Sequence, residues 1–253
     1  MNKKEIKPFL DEKVELYNRP DFIEEDPIQI PHKFSKKEDI EIAGFLASTI
    51  AWGQRKTILA NATKMMEFME WQPYQFLKEN ETNDFFYDGF VHRTFNSIDF
   101  QFFLGGLKEV YSKHGGLEKS FSHGKNNFER ISNFQHLFFN LDSTAPPQKS
   151  RKHVSNPIKN SACKRLNMYL RWMVRKDKKG VDFGIWKEIK MSDLMLPLDV
   201  HTGNTSRKLG LLKRKQNDWK TVTEITDQLR KFNPEDPCKY DFALFGLGVV
   251  EKF

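Results

Sequence analysis

Residues 161–176 read SACKRLNMYLRWMVRK and, after a short connection, residues 196–212 read LPLDVHTGNTSRKLGLL. In the first part Ala162, Leu166, Tyr169, Leu170 and Met173 recur at helical spacing, and Lys164, Asn167, Arg171 and Arg175 fall on a different face. Ser161 stands where such a helix wants its N-cap. Continued for about fifteen residues, the rod would be roughly 22 Å long, enough to follow several phosphates. In the second part a Pro-then-Asp entry puts Asp199 at the start of a short helix that Gly210 is placed to end. The same period recurs along the chain and alternating strand patterns are scarce, so the fold class is all-α.

A chain of 253 residues, 30% charged and 13% aromatic with 23 phenylalanines, is globular rather than disordered. No apolar run approaches the roughly 20 residues of a membrane span, and the N-terminus MNKKEIKPFLDEK lacks the apolar heart of a signal peptide. Two cysteines, Cys163 and Cys238, build no disulfide framework, so the expected compartment is the reducing cytoplasm. The net charge of +7 is concentrated: residues 148–179 hold 11 Lys or Arg and one acid, Asp177, hence 11 − 1 = +10. The usual fate of such a run is a solvated loop, but here it continues into an amphipathic helix, which favours a polyanionic partner.

Upstream, LDEKVELYN reads as a helix ending before Pro20, and DFIEEDPIQIPHKF as an extended, proline-punctuated link. Ser35 and Glu38 have capping-box spacing before a helix with Ile40, Ala43, Ala47, Ile50 and Ala51 on one face. Trp52-Gly53-Gln54 breaks it, and Ile58, Ala62, Met65 and Met69 stripe the next. Further helices are expected at 98–112 and 127–140, then a loop over 141–160 with three prolines and clustered bases. FVHRTF at 90–95 sets His92 and Arg93 among large apolar residues, where a satisfied boundary pair competes with a pocket role. Asp218 is placed to cap a helix reaching about Lys231, and Asp236-Pro237 opens the last one.

Lys164 and Asp199 carry the chemistry available to this stretch. An amine attacks only when deprotonated, and its unperturbed pKa near 10.4 leaves almost none in that form at neutral pH. Neighbouring cations such as Arg165 lower that value, whereas a carboxylate accepts the proton yet pulls it back up. Their separation along the chain decides nothing, and taken by themselves the two residues are better explained as an ordinary N-cap and a surface cation. Asp199 and His201, joined by a histidine such as His92, outline a metal-dependent hydrolase only weakly, since no ligand cluster at metal spacing is evident.

The motif LPLDVHTGNTSRKLGLL resembles the aspartate segment of the helix-hairpin-helix DNA glycosylase superfamily, with matches at Leu198, Asp199, His201, Arg207, Leu209, Gly210 and Leu211. SACKRLNMYLRWM is similar to the lysine-bearing second helix of that hairpin, and the long interval to Asp199 is nearest the archaeal 8-oxoguanine glycosylase branch. FLASTIAWGQRKTI resembles the helix pair whose turn lines the DNA side of the cleft, which would put Gln54 and Arg55 there. The chain also looks like an uncharacterised bacterial family ending in DPxKYDFALFGLG, here Asp236 to Gly248. Three departures stand out: NPIKNSACK has no hairpin glycine, Asn204 replaces a common arginine, and two cysteines cannot hold an iron–sulfur cluster, which needs four.

What the resemblance implies is a base-excision glycosylase with AP-lyase activity on a damaged purine such as 8-oxoguanine, with no metal and no cofactor. Residues 1–34 would be a helix and linker, and 35–253 a helical domain with lobes of roughly 35–145 and 146–253 flanking a cleft. Lys164 would be the nucleophile, with Lys159 its alternative, and Asp199 would activate the amine. Gln54, Arg55, Lys149, Arg151, Lys152, Lys159, Ser161, Arg165, Arg171, His201, Arg207 and Lys208 would contact nucleic acid, expected to be double-stranded DNA. Trp52, His92, Phe242 and Phe245 are base-pocket candidates, with core packing the commoner job for both phenylalanines. A monomer is expected. The competing class is a non-catalytic nucleic-acid-binding protein on the same scaffold, because a shared fold does not establish a shared reaction.

Overall fold

A computed structural model describes residues 3–141, 147 and 149–253, and of residues 3 and 4 the backbone alone. The loop expected over 141–160 therefore lies partly, at 142–146 and 148, outside the described residues. The helices are α1 (Lys3–Tyr17), α2 (Asp21–Glu24), α3 (Lys37–Thr49), α4 (Arg55–Phe68), α5 (Pro73–Glu79), α6 (Ser97–Lys113), α7 (Gly116–Ser122), α8 (Asn127–Phe138), α9 (Lys164–Val174), α10 (Val200–Lys208), α11 (Trp219–Phe232) and α12 (Tyr240–Val249). Among the described residues the only sheet is a hairpin of β1 (Val91–His92) and β2 (Phe95–Asn96), turned at Arg93, whose φ is +57°. The fold is all-α.

Two compact units divide the chain: residues 1–24 with 156–253, and residues 25–155. The N-terminal helix thus belongs to the unit built by the last hundred residues, where the sequence had set 1–34 apart. Its axis is α12. Ile6, Leu10 and Val14 of α1 share a core with Leu244 and Leu247 of α12, with Leu209 and Leu211, and with Ile225 and Leu229 of α11. Close approach requires glycine twice on α12. A Cβ at Gly246 would lie 2.3 Å from the Tyr17 ring of α1, and one at Gly248 would lie 2.9 Å from Thr205 Oγ1 of α10.

The unit of residues 25–155 is centred on α3, buried from Ile40 to Thr49. Phe45 meets Phe103, Phe134 and Phe138 at ring-centroid distances of 5.5–5.9 Å, and Phe121 stacks on Phe134. Aromatic pairs in such offset and edge-to-face arrangements add to area burial.

Several expected local structures change. The stretch 21–34 is not extended: α2 is followed by 3₁₀ turns at Pro27–Gln29 and Pro31–Lys33, each using proline at its first position. Ser35 does not cap α3, whose N-cap is Lys36 with no side-chain bond. Nor does Ser161 cap α9: the N-cap is Cys163, in left-handed backbone, and Ser161 Oγ accepts from the Cys163 amide at 3.2 Å. That helix has 11 residues, about 16 Å, rather than fifteen.

Candidate functional site

In the first unit three helix starts lie within one hydrogen-bonded framework. Lys164 is the first residue of α9, half-buried, and is reached through a glycine-free hairpin. There Asn156 Oδ1 accepts from Ile158 N at 2.8 Å, and Pro157–Lys159 forms a 3₁₀ turn. Asn160 (φ +57°) and Cys163 (φ +47°) take the left-handed conformations that glycines would take more cheaply. The hairpin is fastened to the start of α11: Asn160 Nδ2 donates to Asp218 Oδ2 at 3.1 Å, and Ser161 pairs with Asp218 as an isolated bridge. Asp218 is also the N-cap of α11, as its sequence position indicated. Partial burial pushes its carboxyl up, but bonds from Thr221 and Arg214 outweigh this and hold it at about 2.

Asp199 is the N-cap of α10, as expected, with Oδ1 accepting from Thr202 N at 2.9 Å. Gly210 (φ +71°) ends that helix, with Leu211 N bonded back to Ser206 O. Sequence reasoning passed over one buried acid of this unit, Asp241 on α12. Burial raises its carboxyl to about 6. Arg171 opposes that rise most strongly; among the further influences Asp199 pushes the same way as burial and Lys164 pulls against it.

Asp241 sits in a buried ion network. Arg171 Nη1 donates to Asp241 Oδ2, and Arg171 Nε donates to Asp182 Oδ1 at 3.2 Å. Arg175 meets Asp177, Asp182 and Asp236 at 2.8–3.0 Å. Both guanidinia lie over the Phe242 ring, at 4.5 and 5.3 Å. Two cations therefore face four carboxylates, and burial pushes the two most enclosed of them, Asp182 and Asp241, toward their neutral forms. A lone acid in the apolar run YDFALFGL, matched with arginines on a half-apolar helix, was the available signal for this pairing.

This placement corrects the expectation for Arg171. It is 3% exposed and ion-paired on both sides, so it is no phosphate contact. The second face of α9 is interior too, with Asn167 and Arg175 buried. Phe242 is buried beneath the arginines and so is not open to stack on a base; Phe245 is half-buried, with its ring edge toward Phe22. Arg165 is half-buried, and burial pulls its guanidinium down to about 10, still a cation at neutral pH. Lys159, His201 and Lys208 are exposed, and Arg207 spends its donors on the loop 214–217. An open pocket of about 430 Å³ runs along α10 and the end of α12, lined by His201, Asn204, Lys208, Gly248 and Lys252.

The other candidates belong to residues 25–155. Gln54 is the N-cap of α4 and exposed, and Arg55 begins that helix, 3.3 Å from Glu25. Trp52 is half-buried between two histidines, edge-on to His92 and stacked on His153. His92 is 1% exposed, its Nδ1 2.9 Å from the Asn61 amide and its Nε2 3.1 Å from the Trp52 carbonyl. The carbonyl can only accept, so Nε2 carries the proton and Nδ1 accepts. With both nitrogens engaged, His92 is a satisfied buried residue rather than a pocket or metal ligand. Among the described residues no group of three His, Cys, Asp or Glu side chains has metal-holding geometry. Lys149, Arg151 and Lys152 are exposed, and Arg151 also donates to Phe139 O at 3.2 Å. No helix among the described residues is long and apolar enough to cross a membrane.

Fold and site together define a class: an all-α protein that presents a lysine and an aspartate at two helix starts beside a buried arginine–aspartate network. The chain belongs to the family described as protein of unknown function (DUF2400), whose profile matches residues 26–250. No curated protein and no solved structure matches it.

Proposed function

We propose that this protein is a helix-hairpin-helix-type DNA glycosylase with AP-lyase activity, acting on a damaged purine such as 8-oxoguanine in duplex DNA. One observation carries the reading: Lys164 and Asp199, 35 residues apart in sequence, stand at the starts of two helices that neighbouring residues tie together, Asn217 bonding to the Asp199 carbonyl and Asp218 to Asn160 of the hairpin before Lys164. The damaged nucleotide is flipped from the duplex at a cost of a few kcal/mol. The deprotonated Lys164 Nζ attacks C1′ as the bond from C1′ to the base breaks. Asp199 takes the proton the amine sheds and stabilises the positive charge developing on the sugar. Ring opening gives a Schiff base, loss of a C2′ proton expels the 3′ phosphate, and hydrolysis of the imine frees the lysine. Exposed Lys149, Lys152, Lys159 and Lys208 hold phosphates, which makes affinity fall steeply with salt.

The test is borohydride trapping on duplexes carrying 8-oxoguanine or an abasic site. The expected result is a covalent adduct with wild type and with Lys159→Ala, none with Lys164→Ala, and trapping slowed about a hundredfold or more in Asp199→Asn with binding retained. Salt-sensitive binding without an adduct on a broad lesion panel overturns the enzyme and leaves the binding module.

A further inference from the structure

The arginine read from sequence as a phosphate contact has another use. Arg207 Nε donates to Arg214 O at 2.7 Å, and Nη2 donates to Lys215 O at 2.9 Å and to Asn217 Oδ1 at 2.6 Å. Asn217 Nδ2 in turn donates at 3.1 Å to the backbone carbonyl of Asp199, the same oxygen that accepts from Gly203 N at 2.9 Å. Both side chains lie on the backbone of α10 at Gly203, where a Cβ would come within 2.9 Å of Arg207 Nη1 and of Asn217 Oδ1. Glycine is a poor residue inside a helix, and here it leaves the space these two side chains occupy. The next residue, Asp218, holds Asn160 of the hairpin that leads to Lys164.

We propose that Arg207 and Asn217, seated on Gly203, are positioning residues: their clamp fixes the peptide from which the Asp199 carboxylate hangs and sets it against the Lys164 hairpin. The segment 214–218 is fastened to α10 at one end and to the hairpin at the other, so amine and carboxylate are registered through it. Arg207 is suited to this as no lysine is, because its planar fork reaches several acceptors at once. The clamp is solvent-accessible, so loosening it leaves the fold intact. The catalytic consequence rests on the glycosylase reading above.

The experiment compares Asn217→Ala and Arg207→Lys with wild type in single-turnover trapping, duplex binding across a salt series, and amide hydrogen exchange. Trapping is expected to slow about tenfold in each, since small misplacements of a reacting group have effects of this size. Duplex affinity and its salt dependence stay unchanged. Combined with Asp199→Asn, neither substitution slows trapping further, a non-additivity that general destabilisation would not produce. Exchange at the amides of Thr202 and Gly203 accelerates in Asn217→Ala and not in the control Lys220→Ala. Unaltered exchange overturns the clamp whether or not wild type forms an adduct. Weakened binding with a shallower salt slope in a further variant, Arg207→Gln, which removes the charge that Arg207→Lys keeps, overturns it in favour of a phosphate contact. Accelerated exchange in a protein that traps no DNA supports the clamp and refutes the glycosylase reading alone.

Discussion

At the centre of residues 25–155, Phe45, Phe103, Phe134 and Phe138 meet ring against ring, and Gly106 lets the Phe138 ring lie on α6. At equal depth in the other unit Arg171 and Arg175 are shared among Asp177, Asp182, Asp236 and Asp241. The aromatic interior gains from burial and packing alone. The ionic one must offset the desolvation of six charged groups, and apolar residues of similar volume are often as stable or more so. A network of that kind is not required for stability, and it leaves the Asp241 carboxylate held in place by Arg171.

The contrast can be broken by substitution. The largest losses are expected from Phe138→Ala and Asp182→Ala, each about 3–5 kcal/mol in denaturant unfolding, one by leaving a cavity and the other by stranding two buried guanidinia. The informative companion is Arg171→Met with Asp241→Leu, expected to leave stability within about 2 kcal/mol of wild type while trapping is lost. A large loss of stability in the double variant would instead make the network a structural necessity.

Proton linkage sharpens the comparison next. Asp241 has an ordinary value near 3.8 when unfolded and about 6 when folded, so between these values the folded chain binds more protons than the unfolded one. Its contribution to stability is complete below about pH 4 and is lost as pH rises through about 6, at most on the order of 3 kcal/mol. Asp241→Asn removes this dependence, so the stability difference between variant and wild type should change across pH 4–7. In the aromatic unit Asp99 behaves oppositely. Burial pushes it up, but bonds from His153 and Ser150 outweigh this, and the stability it contributes is lost as pH falls below the ordinary carboxylate range.

Gly106→Ala is a smaller test. Its Cβ would lie 2.9 Å from the Phe138 ring, and overpacking of this kind costs about 1–3 kcal/mol. Smallest of all is Lys152→Ala on the exposed segment before the hairpin. It should leave unfolding within about 0.5 kcal/mol of wild type and, with DNA as ligand, lower the salt slope of binding by about 1.

Much of the local structure was legible beforehand because its causes are local. Asp199 and Asp218 cap the helices their positions announced, and Gly210 ends α10 in the left-handed conformation glycine adopts without penalty. The stripe of Ile58, Ala62, Met65 and Met69 on and just after α4 sits inward because a 3.6 period has one way to be buried. Failures came where a competitor lay far off in sequence. Ser161 looked like a cap but serves the hairpin, through a partner 57 residues later. Arg171 looked solvated because a cation on a polar stripe usually is, and the acids that let it be buried come from beyond the helix, Asp182 past its end and Asp241 on α12, 70 residues on.

Composition and period alone were enough for the all-α class and for several helix ends, among them the starts of α10 and α11, whereas Lys164 and Asp199 were singled out by the family resemblance. Tertiary structure decided which charges face inward, that Asp241 pairs with Arg171, and that Arg207 grips a loop. Hydrogen bonds within a few residues are written in the order of the chain, whereas the partner of a buried ion is chosen by packing between segments the chain order does not bring together.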